Sequence, residues 1–320
     1  MLNKVVFICA QPDVPYFHWQ VEVFIHNAMK SGINPNWIEI LFGYDNNPSP
    51  EGMALARKYP YVRVFFYKKD VIENYGYIPI IRPNILAKHF AAYPGLSDEN
   101  IFYHDSDIIF RELPNFDSLI KDKTWYLSDT VSYIGSDYIK GKSVELFNEM
   151  CNIAGVDPLL VEENNKNSGG AQYLMKGIDS DFWKEVEFVS LDLYKYMSDR
   201  ETEERNKLSE TENETYNPIQ KWCADMWAVL WCGLKRGNEI RISDELGFSW
   251  GSSYGTTEWY KYKIMHNAGV TNNLNGKVFY KGDFINEAPW DHDFSDIDKT
   301  HNSYNYVQAI LYAKEKRDSQ

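Results

Sequence analysis

Residues 5–10 are continuously apolar and rich in β-branched side chains. A run without alternation fits a strand buried on both faces, as in a parallel sheet, and predicts a strand over 4–10. The period then changes: Phe17, Val21, Phe24, Ile25 and Ala28 recur at helical spacing over 16–30, and Ser31-Gly32 ends the element. Residues 37–42 predict a second strand, 50–58 a helix and 61–67 a third strand. Arg82-Pro83 opens the next helix with proline in its first turn, and Ile85, Leu86, His89 and Phe90 mark its apolar side. A short strand over 100–104 follows, and residues 125–128 and 171–175 add sheet elements, the latter after a Ser168-Gly169-Gly170 turn. Strands alternating with helices predict an open α/β sheet.

The second half is patterned differently. Residues 198–214 carry seven acidic and three basic side chains and almost no apolar ones, which predicts a solvated loop or mobile flap. Beyond it, Asn217 is placed to cap a helix, Pro218 to occupy its first position and Gly237 to close it. Residues 220–232 between them are apolar nearly all round, so this helix is expected to be buried. Residues 241–298 are rich in turns and aromatics, and 304–316 has helical periodicity suited to packing on the outside.

Composition narrows the partners. The 320 residues contain 33 Lys+Arg and 46 Asp+Glu, a net charge of −13. A surface that neutralises nucleic-acid phosphates would have to be a local patch against that field. Ten Trp, 23 Tyr and 17 Phe make up 16% of the chain, which fits flat or amphipathic ligands as well as it fits an aromatic core. Cys9, Cys151, Cys223 and Cys232 have no metal-binding or disulfide-framework spacing. The six-residue apolar run at 5–10 is too short for a signal peptide or a membrane span, so a cytoplasmic protein with no membrane partner is expected.

Four places carry candidate chemistry. Asp105 and Asp107 lie two apart at a strand end, and apolar flanks, residues 101–103 and 108–110, draw both carboxylates inward. Like charges so placed call for a cation, and Mn²⁺ or Mg²⁺ bridging diphosphate oxygens is the natural one; exposed turn aspartates are the plain alternative. His266, at a strand end before Asn267-Ala268-Gly269, is either an imidazole ligand to that metal or a core histidine. The Ser168-Gly169-Gly170 loop permits close backbone approach to a ligand or serves as a tight turn. Asp225 shares a helical stripe with Trp222 and Val229, so it is either the partner of a buried Arg or Lys or a general base.

Asp105-Ser106-Asp107 at a strand end resembles the DxD motif of nucleotide-sugar glycosyltransferases of the GT-A fold. The order of five segments is most similar to the hydroxyproline O-arabinosyltransferase and peptidyl-serine galactosyltransferase group. They are Tyr16-Phe17-His18-Trp19-Gln20, Arg82-Pro83, Asp105-Ser106-Asp107, Trp222-x-x-Asp225-Met226, and the His266 region followed by Ala288-Pro289-Trp290-Asp291. The resemblance implies a GT-A-like, Rossmann-type single α/β domain with a mixed, mainly parallel sheet and helices on both faces. That domain would span 1–300, with a nucleotide-binding half (1–130), an acceptor half (131–300) holding an acidic flexible loop (198–216), and a C-terminal helix and tail (301–320).

It further implies a UDP-sugar donor and a metal, Mn²⁺ or Mg²⁺, held by Asp105, Asp107 and His266. Gln11, Tyr16, Arg82, Asp105, Ser168, Gly169, Gly170, Gln172, Lys277 and Lys281 would meet the donor, and Asp225 would be the catalytic base. The acceptor stays open: a glycan, a peptide hydroxyl or a modified DNA base. Trp222 lies beside the candidate base, and the aromatics from Trp250 to Trp290 lie on the proposed acceptor side. Two other readings use the same residues. One is a phage-type DNA glycosyltransferase acting on a hydroxymethylated pyrimidine, with the aromatics holding a base outside the stack. The other is a sugar-binding module without turnover.

Overall fold

The computed structural model describes residues 4–70 and 76–319. Ten strands occur among them: β1 (Val5–Pro12), β2 (Ile38–Tyr44), β3 (Arg63–Lys68), β4 (Asn100–Tyr103), β5 (Ile108–Phe110), β6 (Trp125–Asp129), β7 (Gly169–Met175), β8 (Ile240–Ile242), β9 (Phe248–Trp250) and β10 (Ile264–His266). Seven make one sheet in the order β3-β2-β1-β4-β7-β6-β8, and β5-β10-β9 make a second. In the large sheet only β7 runs against its neighbours β4 and β6; the remaining pairs are parallel.

The continuous apolar run of β1 is explained by two covered faces. Val6, Ile8 and Ala10 enter one core, while Val5, Phe7 and Cys9 enter another, as the strand period of two requires. The longer helices are α1 (Pro15–Lys30), α2 (Pro50–Lys58), α3 (Ile81–Ala92), α4 (Val144–Ala154), α5 (Ser180–Arg205), α6 (Ala224–Lys235) and α7 (Ser303–Asp318). The first core joins α3, α5 and α6 through Ile85, Phe90, Trp183, Val186, Trp227 and Trp231. The second lies under α1, with Phe24 and Ile25 facing Phe7, Phe102 and Ile108. A third joins Trp19 and Val23 of α1 to Met265 of β10 and to Tyr306, Val307 and Ile310 of α7. Thus α7 does more than lie on the outside: it clamps the small sheet to α1.

Three expectations are corrected. Residues 198–205 form the last turns of α5, and Glu210–Thr215 is a short helix with a capping box, so the acidic segment is largely helical. Ion pairs Lys195–Asp199 at 2.6 Å and Arg205–Glu201 at 2.8 Å, each one turn apart, support this polar surface helix. The buried helix starts at Ala224 after a 3₁₀ turn over Lys221–Cys223, not at Asn217-Pro218, although Gly237 does follow its end with φ +78°. Gly169 and Gly170 are the first residues of β7 rather than a turn before it.

Candidate active site and metal centre

β4 delivers Asp105 and Asp107 at its C-terminal end, in the turn that carries the chain from the large sheet into β5 of the small one. β10 pairs antiparallel with β5, with His266 opposite Ile108, so the imidazole arrives beside both carboxylates. Nε2 of His266 is 3.4 Å from an Asp105 oxygen and 3.3 Å from an Asp107 oxygen. One ligand atom from each of the three lies within 4.8 Å of the others. His266 is buried and its ring lies near-parallel to Trp250, at 6.2 Å and 17°. Two carboxylates and an imidazole aimed at one point form a donor set suited to Mn²⁺ or Mg²⁺.

Two cations brace the pair, one on each carboxylate. Lys281 donates to Asp107. Burial pushes the Asp107 carboxyl up, but Lys281 and His266 outweigh it and hold it well below the usual carboxylate range. Arg82, from the first turn of α3, reaches Asp105 at 2.8 Å and Asp225 at 3.5 Å with its two terminal nitrogens. Burial opposes the Arg82 charge, yet Asp105, Tyr103 and Asp225 raise its pKa further. Formal charge at the site is −3 from Asp105, Asp107 and Asp225 and +2 from Arg82 and Lys281, leaving −1 aside from His266. A divalent cation would turn this to +1, the sign that attracts a diphosphate.

Asp225 sits in the first turn of α6 and pairs with a half-buried arginine, close to one of the two sequence alternatives. Burial raises its pKa; Arg82 opposes, Asp105 adds to the rise, and the net position is above the ordinary value. Tyr77, fully buried, grips it twice: the phenol accepts from the Asp225 backbone N–H at 2.9 Å and donates to its carboxylate at 3.1 Å. Sequence reasoning missed Tyr77, because it stands in a 3₁₀ approach to α3 without periodicity. It also missed Tyr103 and Tyr173, buried, stacked at 5.6 Å and electrostatically coupled to Asp105 and Asp225. Tyr103 is visible in sequence only as an aromatic two residues before Asp105.

β7 borders the site through a break in register. Leu127 pairs with Tyr173 but Ser128 with Gly170, so Ala171 and Gln172 form a bulge and Ala171 takes φ +66°. A Cβ on Gly169 would stand 2.5 Å from Leu127 Cβ and 2.7 Å from Ser128 O; one on Gly170 would stand 2.4 Å from Met226 Cε. These glycines therefore provide space rather than a left-handed turn. Ser168 is buried and accepts from Thr130 through its carbonyl at 3.2 Å. Gln172 is buried and accepts from Ser128 at 2.7 Å.

The remaining candidates separate. Tyr16, in the first turn of α1, is partly buried, and its phenol feels Lys281 and Asp107. Gln11 is buried between strands, donating to Leu41 O at 3.1 Å. Lys277 is exposed and lies by Asp298 rather than in the carboxylate cluster. A cleft of ≈ 840 Å³ opens at the C-terminal ends of β1, β2 and β3, lined by Asp13, Gly43, Lys68, Ile81 and Asn84, the edge at which α/β sheets hold ligands.

No protein-family model and no curated protein matches this sequence. Solved structures resemble it. The bifunctional glycosyltransferase WbbM matches with TM-score 0.50 and 9% identity, over 100% of this chain and 52% of its own, so this chain spans about half the length of that protein. The galactosyltransferase LgtC, solved with donor and acceptor sugar analogs, aligns over 95% of this chain and 94% of its own, at 10% identity and TM-score 0.42. Mouse xyloside xylosyltransferase 1 aligns over 82% and 97%, at 10% identity and TM-score 0.39. The likeness to WbbM establishes the fold: a GT-A-type α/β domain with a mixed, mainly parallel sheet and helices on both faces.

Proposed function

We propose that this chain transfers a glycosyl group from a nucleoside diphosphate donor, a UDP-sugar, to an acceptor hydroxyl. The observation that carries the reading is the convergence of Asp105, Asp107 and His266 within 4.8 Å at the edge of a GT-A-type sheet. Asp105, Asp107 and His266 would hold Mn²⁺ or Mg²⁺, which when bound supplies Lewis-acid stabilisation of the diphosphate. The protein's own groups do the rest. Lys281 faces the leaving side beside Asp107 and offsets the charge that develops there. Arg82 holds Asp105 and Asp225 in fixed relation, and the missing side chain of Gly170 leaves room for Met226 beside Asp225.

In the transfer step the acceptor oxygen forms a bond to the anomeric carbon while the bond from that carbon to the phosphate oxygen breaks. The electron pair leaves with the diphosphate, and the hydroxyl proton passes to Asp225, whose raised pKa suits it to receive one. This assigns an inverting outcome. The motif likeness to the hydroxyproline O-arabinosyltransferase group supports the donor side of the reading.

The test is a thermal-shift screen of nucleotide sugars with and without MnCl₂, since a ligand bound only by the folded state raises the midpoint with its concentration over Kd. A Mn²⁺-dependent shift with UDP-sugars, lost in Asp107→Ala together with donor turnover, is the expected result. Binding without metal, untouched by that substitution, would overturn the reading.

A further inference from the structure

We infer that Trp222 and Asp225 form one acceptor subsite and that its occupant is a carbohydrate whose pyranose ring lies against the exposed indole. The inference rests on the glycosyl-transfer reading above and supplies what that reading leaves open, the class of the acceptor.

A single exposed aromatic is ordinary, so the argument begins with how this one is held. Trp222 is 52% exposed, although Ala224 and Trp227 just beyond it are fully buried. Its indole meets Tyr77 edge to face at 5.6 Å and 85°, and Tyr194 at 6.4 Å and 76°. Those two tyrosines are themselves stacked at 4.4 Å and 19°. The Tyr77 phenol lies 3.3 Å from the Trp222 carbonyl and makes both hydrogen bonds to Asp225. One buried side chain thus fixes the indole and the candidate base relative to each other. An exposed aromatic plane rigidly tied to a carboxylate is a built surface.

The chemistry of that surface selects among acceptors. A pyranose offers a flat C–H face to an aromatic plane and hydroxyls at its rim to a carboxylate, the amphipathic match that tryptophan serves well. An extended peptide needs free backbone partners, and this turn has few. The N–H groups of Lys221, Cys223, Asp225 and Met226 are already donated, to Ile219 O, Gln220 O, the Tyr77 phenol and the Asp225 carboxylate. A base within DNA brings phosphates, and the cations at this place are already engaged, Arg82 by Asp105 and Asp225 and Lys221 by Glu201 at 2.9 Å, in a chain of net charge −13.

The experiment uses the full chain with UDP and MnCl₂ and two probes, methyl β-D-glucopyranoside and methyl β-D-galactopyranoside. Saturation-transfer NMR reads binding without turnover, and transfer kinetics at saturating donor read function. Expected are ring C–H signals for at least one glycoside, reduced at least fivefold in Trp222→Ala and largely restored in Trp222→Phe. The acceptor KM rises about tenfold in Trp222→Ala, and the ratio of sugar transfer to donor hydrolysis falls with it. Tyr77→Phe keeps the ring and so the binding signal, but lowers kcat because Asp225 loses its anchor. Signals and KM unchanged in Trp222→Ala, no binding of either glycoside, or transfer confined to peptide or hydroxymethylated DNA would each overturn the inference. Glycoside binding that depends on Trp222, with no nucleotide sugar ever turned over, would uphold the subsite while sinking the transferase reading.

Discussion

Lys281→Met tests the electrostatics of the carboxylate pair, because it should move two observables in opposite directions. The ammonium rests on Asp107, whose side chain is only 5% exposed, while Lys281 itself retains 24%. Removing one partner of a buried ion pair costs about 3–5 kcal/mol, since the other charge is left without compensation. Partial exposure of the lysine puts this pair at the lower end, about 3 kcal/mol. The second effect has the opposite sign. Without the ammonium, a divalent cation no longer shares Asp107 with another positive charge. Unit charges about 4 Å apart interact by about 4 kcal/mol at an effective permittivity near 20. Relief of even about 1.4 kcal/mol of that repulsion is a tenfold gain in metal affinity. For a domain of this size about 2 °C of melting temperature corresponds to 1 kcal/mol. The variant should therefore melt about 6 °C lower in EDTA and gain about 3 °C more than the parent from saturating MnCl₂. Donor turnover should fall about 10²–10³-fold, the scale seen when a group facing developing charge is removed. A Mn²⁺ response equal to or smaller than the parent's would refute the assignment of Lys281 as the competitor for Asp107.

Gly169→Ala meets backbone at Ser128 O and should lower stability by about 1–3 kcal/mol, read as a shifted urea midpoint with unchanged slope. Gly170→Ala meets the mobile end of Met226 and should cost under about 1 kcal/mol, while slowing transfer because Met226 adjoins Asp225. His104 is buried against Phe24 and Phe102, and burial lowers its pKa from 6.5 to about 4. As pH falls from 6.5 towards 4 the unfolded chain takes up a proton that the folded chain refuses, so stability falls through that window. This residue should remove about 2 kcal/mol between about pH 7.5 and about pH 5, and urea midpoints of His104→Gln should lose that part of the slope. Arg82→Lys keeps the charge but not the fork that spans Asp105 and Asp225, so turnover should fall about tenfold or more with near-parental stability, measured by kinetics beside a melting curve.

Strands β1 to β4 and helices α1 to α3 were legible because each covered face leaves a periodic trace, as β1 does by being apolar on both. Asp105, Asp107 and His266 were legible as chemistry out of place, with carboxylates and an imidazole set among apolar strand residues. The partnership of Arg82 with Asp225 was not: they stand 143 positions apart, and only the packing of α3 against the α5–α6 layer brings them together. Lys281 and Lys277 look alike in sequence, and only the fold sends one to Asp107 and the other to Asp298. The acidic run over 198–205 misled because polarity alone does not distinguish a loop from a helix held by one-turn ion pairs. The two glycines of β7 misled because glycine signals space as well as turning.

The cluster of Asp105, Asp107 and His266 joins the two sheets, and its members are far apart in the chain. Between Asp107 and His266 lie 159 positions of synthesis. At about 5–20 residues per second the third ligand leaves the ribosome roughly 8–30 s after the second. For that interval the nascent chain holds a pair of carboxylates with neither its imidazole nor, until residue 281, its lysine. The centre is therefore assembled only after the segment from His266 to Lys281 has been made. In stalled nascent chains, protection of β10 from hydrogen exchange should be absent until the segment through residue 281 has left the ribosome.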